Sequence, residues 1–338
     1  MDFQLLPLLR RYAIHCVDYK NRIVLILLFV LGIVAQRMAL PFLIRDLTDF
    51  IATRSQNMSS LKTTMILLAV VLVIGLLLHL FRDILNIEFQ LGGMQRLSVE
   101  CFSCIHSHSI GFFQDTFTGA LVKKENRYVN SFESIADRFT FFFFPFLFEF
   151  GTTMVIFWGI HWTFGVLMSV YFLVFCLLTW IGIQKKIPYD MAATRAQTAV
   201  SARLADTVGN AMTIKAFGAF DREVEAYTEI TMKSKIARKR AWTFDTYMRS
   251  IQEIPQLCFT FILYGLYAYM SYQKVISASD VVLLFGLDNI LKSRTWDFGN
   301  QIKHLFEDAS YAMEMVEILE TPYEVVDSSD AKELIINA

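Results

Sequence analysis

Residues 139–184 read FTFFFFPFLFEFGTTMVIFWGIHWTFGVLMSVYFLVFCLLTWIGIQ, and Glu149 is the only formal charge in the stretch. As one helix, at about 1.5 Å per residue, it would reach roughly twice the ~30 Å hydrocarbon core of a bilayer. The run must therefore fold back on itself. The turn is expected at Gly159-Ile160-His161-Trp162-Thr163, whose Trp suits a membrane interface. This stretch alone predicts two membrane helices with a short connection.

The rest of the chain has the same character. Of its 338 residues, 55% are hydrophobic and 19% charged, and 31 are Phe. Soluble domains carry about 25% charged residues, so both a disordered chain and an ordinary soluble enzyme are poor fits. A first apolar run spans Ile23 to Ile44, broken only by Gln36 and Arg37. It is too long for a signal-peptide core, and no small-x-small cleavage site follows. A second runs from Met65 to Phe81 and closes on Arg82 and Asp83. A fifth spans Pro255 to Tyr272. The sixth is short, Val281 to Leu287, with Asp288 and Lys292 just beyond. Residues 1–20 form an amphipathic segment suited to the membrane surface.

Charge sets the orientation. About 26 of the 31 Lys and Arg fall in the N-terminus, the 82–138 and 185–252 connections and the C-terminal part. By the positive-inside tendency these are cytoplasmic, with both termini, in a multi-pass protein of the plasma (inner) membrane. The two cytoplasmic connections are rich in helix-forming residues. A helical hairpin with arms of about 25 residues would project roughly 35 Å. Helices held so far from the membrane need a partner at their tips. The expected fold is an all-α membrane protein with six transmembrane helices and two long cytoplasmic helical hairpins.

That layout resembles the transmembrane domain of ATP-binding cassette exporters, and local stretches carry the likeness. Ala205-Asp206-Thr207-Val208-Gly209-Asn210-Ala211-Met212-Thr213-Ile214-Lys215-Ala216-Phe217-Gly218, then Asp221-Arg222-Glu223, is similar to the family's second cytoplasmic tip. Phe112-Phe113-Gln114-Asp115 and Thr118-Gly119-Ala120-Leu121-Val122 resemble the first tip. Leu40-Pro41-Phe42-Leu43-Ile44-Arg45-Asp46 resembles the outer end of the first helix. Ala309, Ala312 and Ile318-Leu319-Glu320-Thr321-Pro322 resemble the run leading to the ATPase domain. After Gly119 the family's Ser-Arg-Leu and Asn-Asp pattern is replaced by Lys123-Lys124-Glu125-Asn126-Arg127-Tyr128.

The resemblance implies an ATP-driven exporter that moves a lipid, drug or peptide-like substrate by alternating access. It implies a second copy or a homologous half-transporter as partner, membrane lipids around it, and coupling to a cassette through Gly119, Leu121, Asp206, Gly209 and Asn210. It divides the chain into an elbow-like segment (1–20), a six-helix domain with its extensions (21–320) and a linker toward a nucleotide-binding domain (321–338). That domain is expected to be truncated away or to be a separate chain. No Gly precedes a Lys, so no phosphate-cradling loop is present, and no Leu-Ser-Gly-Gly occurs. No catalytic motif and no cofactor site is expected in this chain; ATP and Mg would enter through the nucleotide-binding domain.

Charged residues inside a membrane usually face an interior or a cavity. Arg37, Glu149 and Asp288 are the candidates for a polar substrate path, with His79 a weaker fourth. The alternatives are an internal ion pair or snorkelling. The aromatic run Phe139 to Phe148 reads as a surface for lipid and neighbouring helices, with Pro145 placed to kink it. Cys101, Cys104 and His108 share a helical face, but the lone C-x-x-C reads as packing, and no metal is expected. Lys233, Lys235, Arg238, Lys239 and Arg240 read as a solvated face just below anionic lipid heads. A nucleic-acid role has no supporting pattern. A secondary transporter or channel is the alternative, but the internal repeats it predicts are not seen. An intramembrane enzyme would need a motif such as H-E-x-x-H, which is absent.

This topology predicts that a single Cys label at Ser271 reacts with an impermeant reagent from outside the cell, and one at Ala216 does not. Outside labelling at Ala216 would reject the six-span arrangement.

Overall fold

A computed structural model describes residues 5–53, 58–115 and 118–324, and these contain helices and no strand. Helix α1 (Leu5–Cys16) leads through a 3-10 turn (Val17–Tyr19) into α2 (Lys20–Ala52) and α3 (Met58–His106). Short α4 (Ile110–Asp115) precedes α5 (Thr118–Asp137), a π-helical segment (Arg138–Phe143) and α6 (Phe144–Ile160). Then come α7 (Trp162–Gly209), short α8 (Ala211–Ala216), α9 (Phe220–Tyr272) and α10 (Ala278–Leu319). Counting 118–160 as one rod, the described residues contain six long rods. Most of the expected 321–338 linker, from 325 on, lies outside the described residues.

Four stretches, Pro7–Ala52, Met58–His106, Gly119–Ile160 and Trp162–Gly209, are long and apolar enough to cross a membrane. Helices α9 and α10 are as long, at 53 and 42 residues, but more polar. The expected turn within 139–184 is sharper than five residues. Only His161 leaves the helix, with extended backbone, and its Nδ1 accepts from the Thr163 amide at 3.3 Å. The sixth helix begins earlier than its apolar run. Ser277 and Asp280 form a reciprocal capping box, which satisfies the first amides and starts α10 at Ala278.

The chain forms two compact units, residues 1–153 with 277–338, and residues 154–276. In the first, the extensions of α3, α5 and α10 enclose an apolar core that includes Leu97, Leu121, Tyr128, Phe132, Ala312 and Met315. Helix α1 is part of it. Leu8 is fully buried, and the Tyr12 ring lies 5.2 Å from those of Tyr128 and Phe132. Burial and the neighbouring Tyr128 push the Tyr12 phenol well above its ordinary range, so it stays protonated. It donates to the Tyr128 carbonyl at 2.8 Å. Glu100 ties the same helix to α3, through Arg11 at 3.3 Å and His15 at 2.9 Å.

The second unit is the α7–α9 hairpin, and its contacts change character along its length. Phe164 packs on Tyr267 and Tyr171 stacks on Phe259 at 4.4 Å. Gln252 then donates to Thr179 at 3.2 Å. Beyond that level ion pairs take over, Lys186 with Asp245 and Arg203 with Glu223. Burial alone would raise the Asp245 carboxyl, but Lys186 and Arg249 hold it below its ordinary value.

Gly93 allows α3 to approach α5, because the Phe132 ring occupies the place of a Cβ. Gly93→Val should therefore overpack this core and cost about 1–3 kcal/mol. The check is the thermal unfolding midpoint of the purified protein in detergent. An unchanged midpoint would mean that α3 and α5 do not meet at Gly93.

Candidate functional site

Glu149 lies on α6 and is 1% exposed. No charge close in sequence compensates it; its partners come from two other helices. Arg37 of α2 places Nη1 2.7 Å from Oε1, and Arg294 of α10 places Nε 3.0 Å from Oε2. The second Arg294 nitrogen, Nη2, reaches Oε1 at 3.4 Å. Two guanidinium groups thus hold one carboxylate, the arrangement that a buried ion needs to offset its lost hydration.

The aromatic run explains why Arg294 is fixed there. Pro145 has no N–H, so it cannot bond the carbonyl of Phe141 four residues back. Arg294 Nη1 donates to that carbonyl at 3.2 Å. The backbone just before Pro145 is π-helical over Arg138–Phe143, so the irregularity lies ahead of the proline, where the sequence places the kink at it. One guanidinium therefore serves both a side-chain charge and a backbone acceptor.

Beside this cluster lies a groove of about 490 Å³ lined by Arg37, Phe142, Asn289, Ser293, Arg294 and Asp297, with Ile290. Of the three predicted path residues, Arg37 lines it and Glu149 bonds both of its arginines. Asp288 is fully buried and bonded to Lys292, one turn along α10, at 2.5 Å, and it does not line the groove. Sequence reasoning missed Arg294. It lies beyond the apolar run Val281–Leu287, so it reads as already outside the membrane; continuing the helical period from Asp288 would have found it.

The second hairpin tip is built around Asn210. Gly209 is the last residue of α7, and Asn210 Nδ2 donates to both the carbonyl and the Oδ1 of Asp206 at 3.0 Å. The sharp turn comes later. Gly218 has φ +59, and the Ala219 amide bonds Ile214 before α9 starts. Gly218, not Gly209, supplies the left-handed residue that glycine alone adopts cheaply. Apolar side chains stand exposed around this tip: Met212 is 83% and Phe217 82% exposed, with Val208 and Phe220 similar. At the first tip Gly119 is exposed at the start of α5, but Leu121 is buried in the hairpin core, and the exposed apolar neighbours among the described residues include Ile110, Phe113 and Val122. The Cys101 thiol is buried and pushed up to about 12, mainly by burial. Among the described residues no three His, Cys, Asp or Glu side chains are placed to share a metal ion.

Residues 23–291 match the model of the ABC transporter transmembrane region, and the chain belongs to that family. It is 22% identical over 172 residues to the beta-(1-->2)glucan export ATP-binding/permease protein NdvA of Rhodopseudomonas palustris, covering 51% of this chain and 29% of that protein. The fold is similar to a solved bacterial Atm1-family ABC exporter with ATP bound, at a TM-score of 0.74 and 22% identity. That match covers 94% of this chain and 56% of the other, so the chain spans little more than half the length of the solved exporter.

Removing the charge of Glu149 would leave two guanidinium groups facing each other. Glu149→Gln should destabilise the protein toward the lower end of the ~3–5 kcal/mol seen when one partner of a buried pair is lost, since the Arg37 side chain is 36% exposed. Adding Arg294→Gln should recover much of that loss. Thermal unfolding in detergent reads both variants, and a Glu149→Gln protein as stable as its parent would show that the cluster does not hold α2, α6 and α10 together.

Proposed function

We propose that this chain forms the membrane-spanning part of an ATP-driven exporter, working by alternating access as a dimer with a second copy or a homologous half-transporter. Residues 1–20 act as an elbow along the membrane, 21–320 form the transport domain, and 321–338 lead toward a nucleotide-binding domain in cis or trans. Both termini and both hairpins are cytoplasmic, in the plasma (inner) membrane. ATP and Mg belong to the nucleotide-binding domain, because this chain's residues do not fit a nucleotide: none of its glycines precedes a lysine.

The exposed apolar tip carries this reading. A hairpin whose arms are ion-paired and solvated ends in Met212, Phe217 and Phe220, side chains that water disfavours. A cassette that seats on this tip, and on the one begun by Gly119, would move α7 and α9 as rods. In that arrangement Asp206, Gly209 and Asn210 set the shape of the tip rather than its grip, and Leu121 anchors the first tip from inside. The substrate, of a lipid, drug or peptide-like kind, passes the groove at Arg37 and Arg294, with Glu149 holding both arginines in place. Asp288, paired with Lys292, does not line that groove.

In the protein joined to its cassette, Met212→Glu should remove roughly the 1.5–3 kcal/mol that burying one such side chain contributes. Transport in liposomes should then fall about tenfold or more per ATP hydrolysed. Transport and hydrolysis both at parental levels would remove the second tip as the coupling surface.

A further inference from the structure

The segment that follows α10 returns to the first hairpin, a contact that the export reading leaves unused. Glu320 closes the helix, and Pro322, with no N–H to give, cannot extend it. Thr321 Oγ1 donates to the Glu317 carbonyl at 2.8 Å. Arg11 of α1 reaches the Leu319 carbonyl at 3.5 Å and the Glu320 carboxylate at 3.7 Å. The chain then meets the corner between α3 and α4. Ser109 Oγ donates to Glu324 Oε2, across 215 residues of sequence, and the Tyr323 ring lies 5.1 Å from that of His108.

Helix α4 needs support of this kind. It spans six residues, Ile110–Asp115, and isolated helices shorter than about 12–15 residues are marginal in water. It buries little of its own: Ile110 is 79% and Phe113 38% exposed. Two anchors hold it. The Phe112 ring stacks on His108 at 4.2 Å, and the Phe112 amide donates to Ser109 Oγ at 3.3 Å. These anchors are the two points that the returning segment touches. His108 carries both Phe112 and Tyr323. Ser109 has one hydroxyl hydrogen, and giving it to Glu324 turns the oxygen lone pairs to the amide that starts α4. A hydroxyl that donates to a carboxylate is also the better acceptor, so each bond strengthens the other.

We propose that residues 321–324 are a strap that keeps the first tip folded. With Tyr323 and Glu324 on the α3–α4 corner, α4 is helical. When they lift away, Ser109 and His108 lose their outer partners and α4 frays, while the core beneath it stays intact. A pull on the chain beyond Glu324 would thus be read at the first tip without passing through the membrane helices. The strap does not depend on the chain being an exporter, because every contact in it lies within the 338-residue protein.

Hydrogen–deuterium exchange of the purified 338-residue protein in detergent tests it, with the double variant Tyr323→Ala, Glu324→Gln beside the parent. Both side chains are exposed, so the variant should unfold at the parental temperature. Amides of residues 112–115 should be protected in the parent and exchange at least about tenfold faster in the variant. Those of 121–135, in the hairpin core, should exchange at the parental rate. Parental exchange at 112–115 in the variant overturns the proposal, as does an absence of protection there in the parent. A rise shared equally by 121–135 overturns it too, because the contact would then be ordinary packing of the whole hairpin. Should the double variant fail to fold, Glu324→Gln alone keeps the side-chain shape and weakens only the Ser109 bond. It should speed exchange at 112–115 several-fold, and no change there would be equally decisive against the strap.

Discussion

The structure depends on how Glu149 is kept in an apolar environment. A lone carboxylate in hydrocarbon is costly enough that it must recruit partners or lose its charge. Here it recruits Arg37 and Arg294, and in doing so it brings α2 and α10 to α6. Several oddities follow from that one requirement. Helix α10 is less apolar than a membrane helix usually is, because it must deliver Arg294 to the centre of the first unit. Pro145 is tolerated because the same arginine takes the carbonyl that the proline leaves without a partner. The groove beside the cluster is polar because the arginines that hold Glu149 also line it.

Much of the architecture was legible in the sequence because hydropathy is a local property. The single charge between 139 and 184, the turn near His161 and the long polar connections could all be read from short windows. The pairing of Glu149 could not. Its partners lie 112 and 145 residues away, and no local pattern links them. Val281–Leu287 marked only a fragment of a 42-residue helix, since the remainder is apolar toward its neighbours rather than throughout. Leu121 was expected among the tip contacts through its likeness to the family's tip. Helical periodicity argues otherwise: Leu121, Tyr128, Phe132 and Ile135 recur on one face, and all four are buried. Gly209 and Gly218 both lie in the stretch that resembles the family's second tip, and only the backbone shows that Gly218 carries the left-handed turn.

The two hairpins solve the problem of leaving the membrane differently. The first builds an apolar core of its own, with α1 and the extension of α10 packed into it. Buried area of that kind makes a stiff body, and Tyr12 adds a hydrogen bond to the Tyr128 carbonyl where α1 meets α5. The second hairpin buries little beyond Val200, Ser234 and Ala241 on the far side of the Lys186–Asp245 pair. Its arms are registered by single polar contacts, Lys186 with Asp245, Gln197 with Arg238, Arg203 with Glu223. Half-buried single pairs of this kind, still reached by water, contribute only modest stability each, on the order of 1 kcal/mol.

A two-helix extension held by so few weak contacts would fray if it stood in water alone. Its exposed apolar side chains mark the tip as the place where a partner would supply the missing stabilisation. At the tip, Met212, Phe217 and Phe220 offer apolar area to a protein surface. With the tip engaged, the ion pairs along the arms need only keep the two helices in register, which is what single, well-placed charges do best. A displacement imposed at the tip would then travel along α7 and α9 to the level of Thr179 and Gln252, where apolar packing resumes and the helices can turn as rods within the membrane.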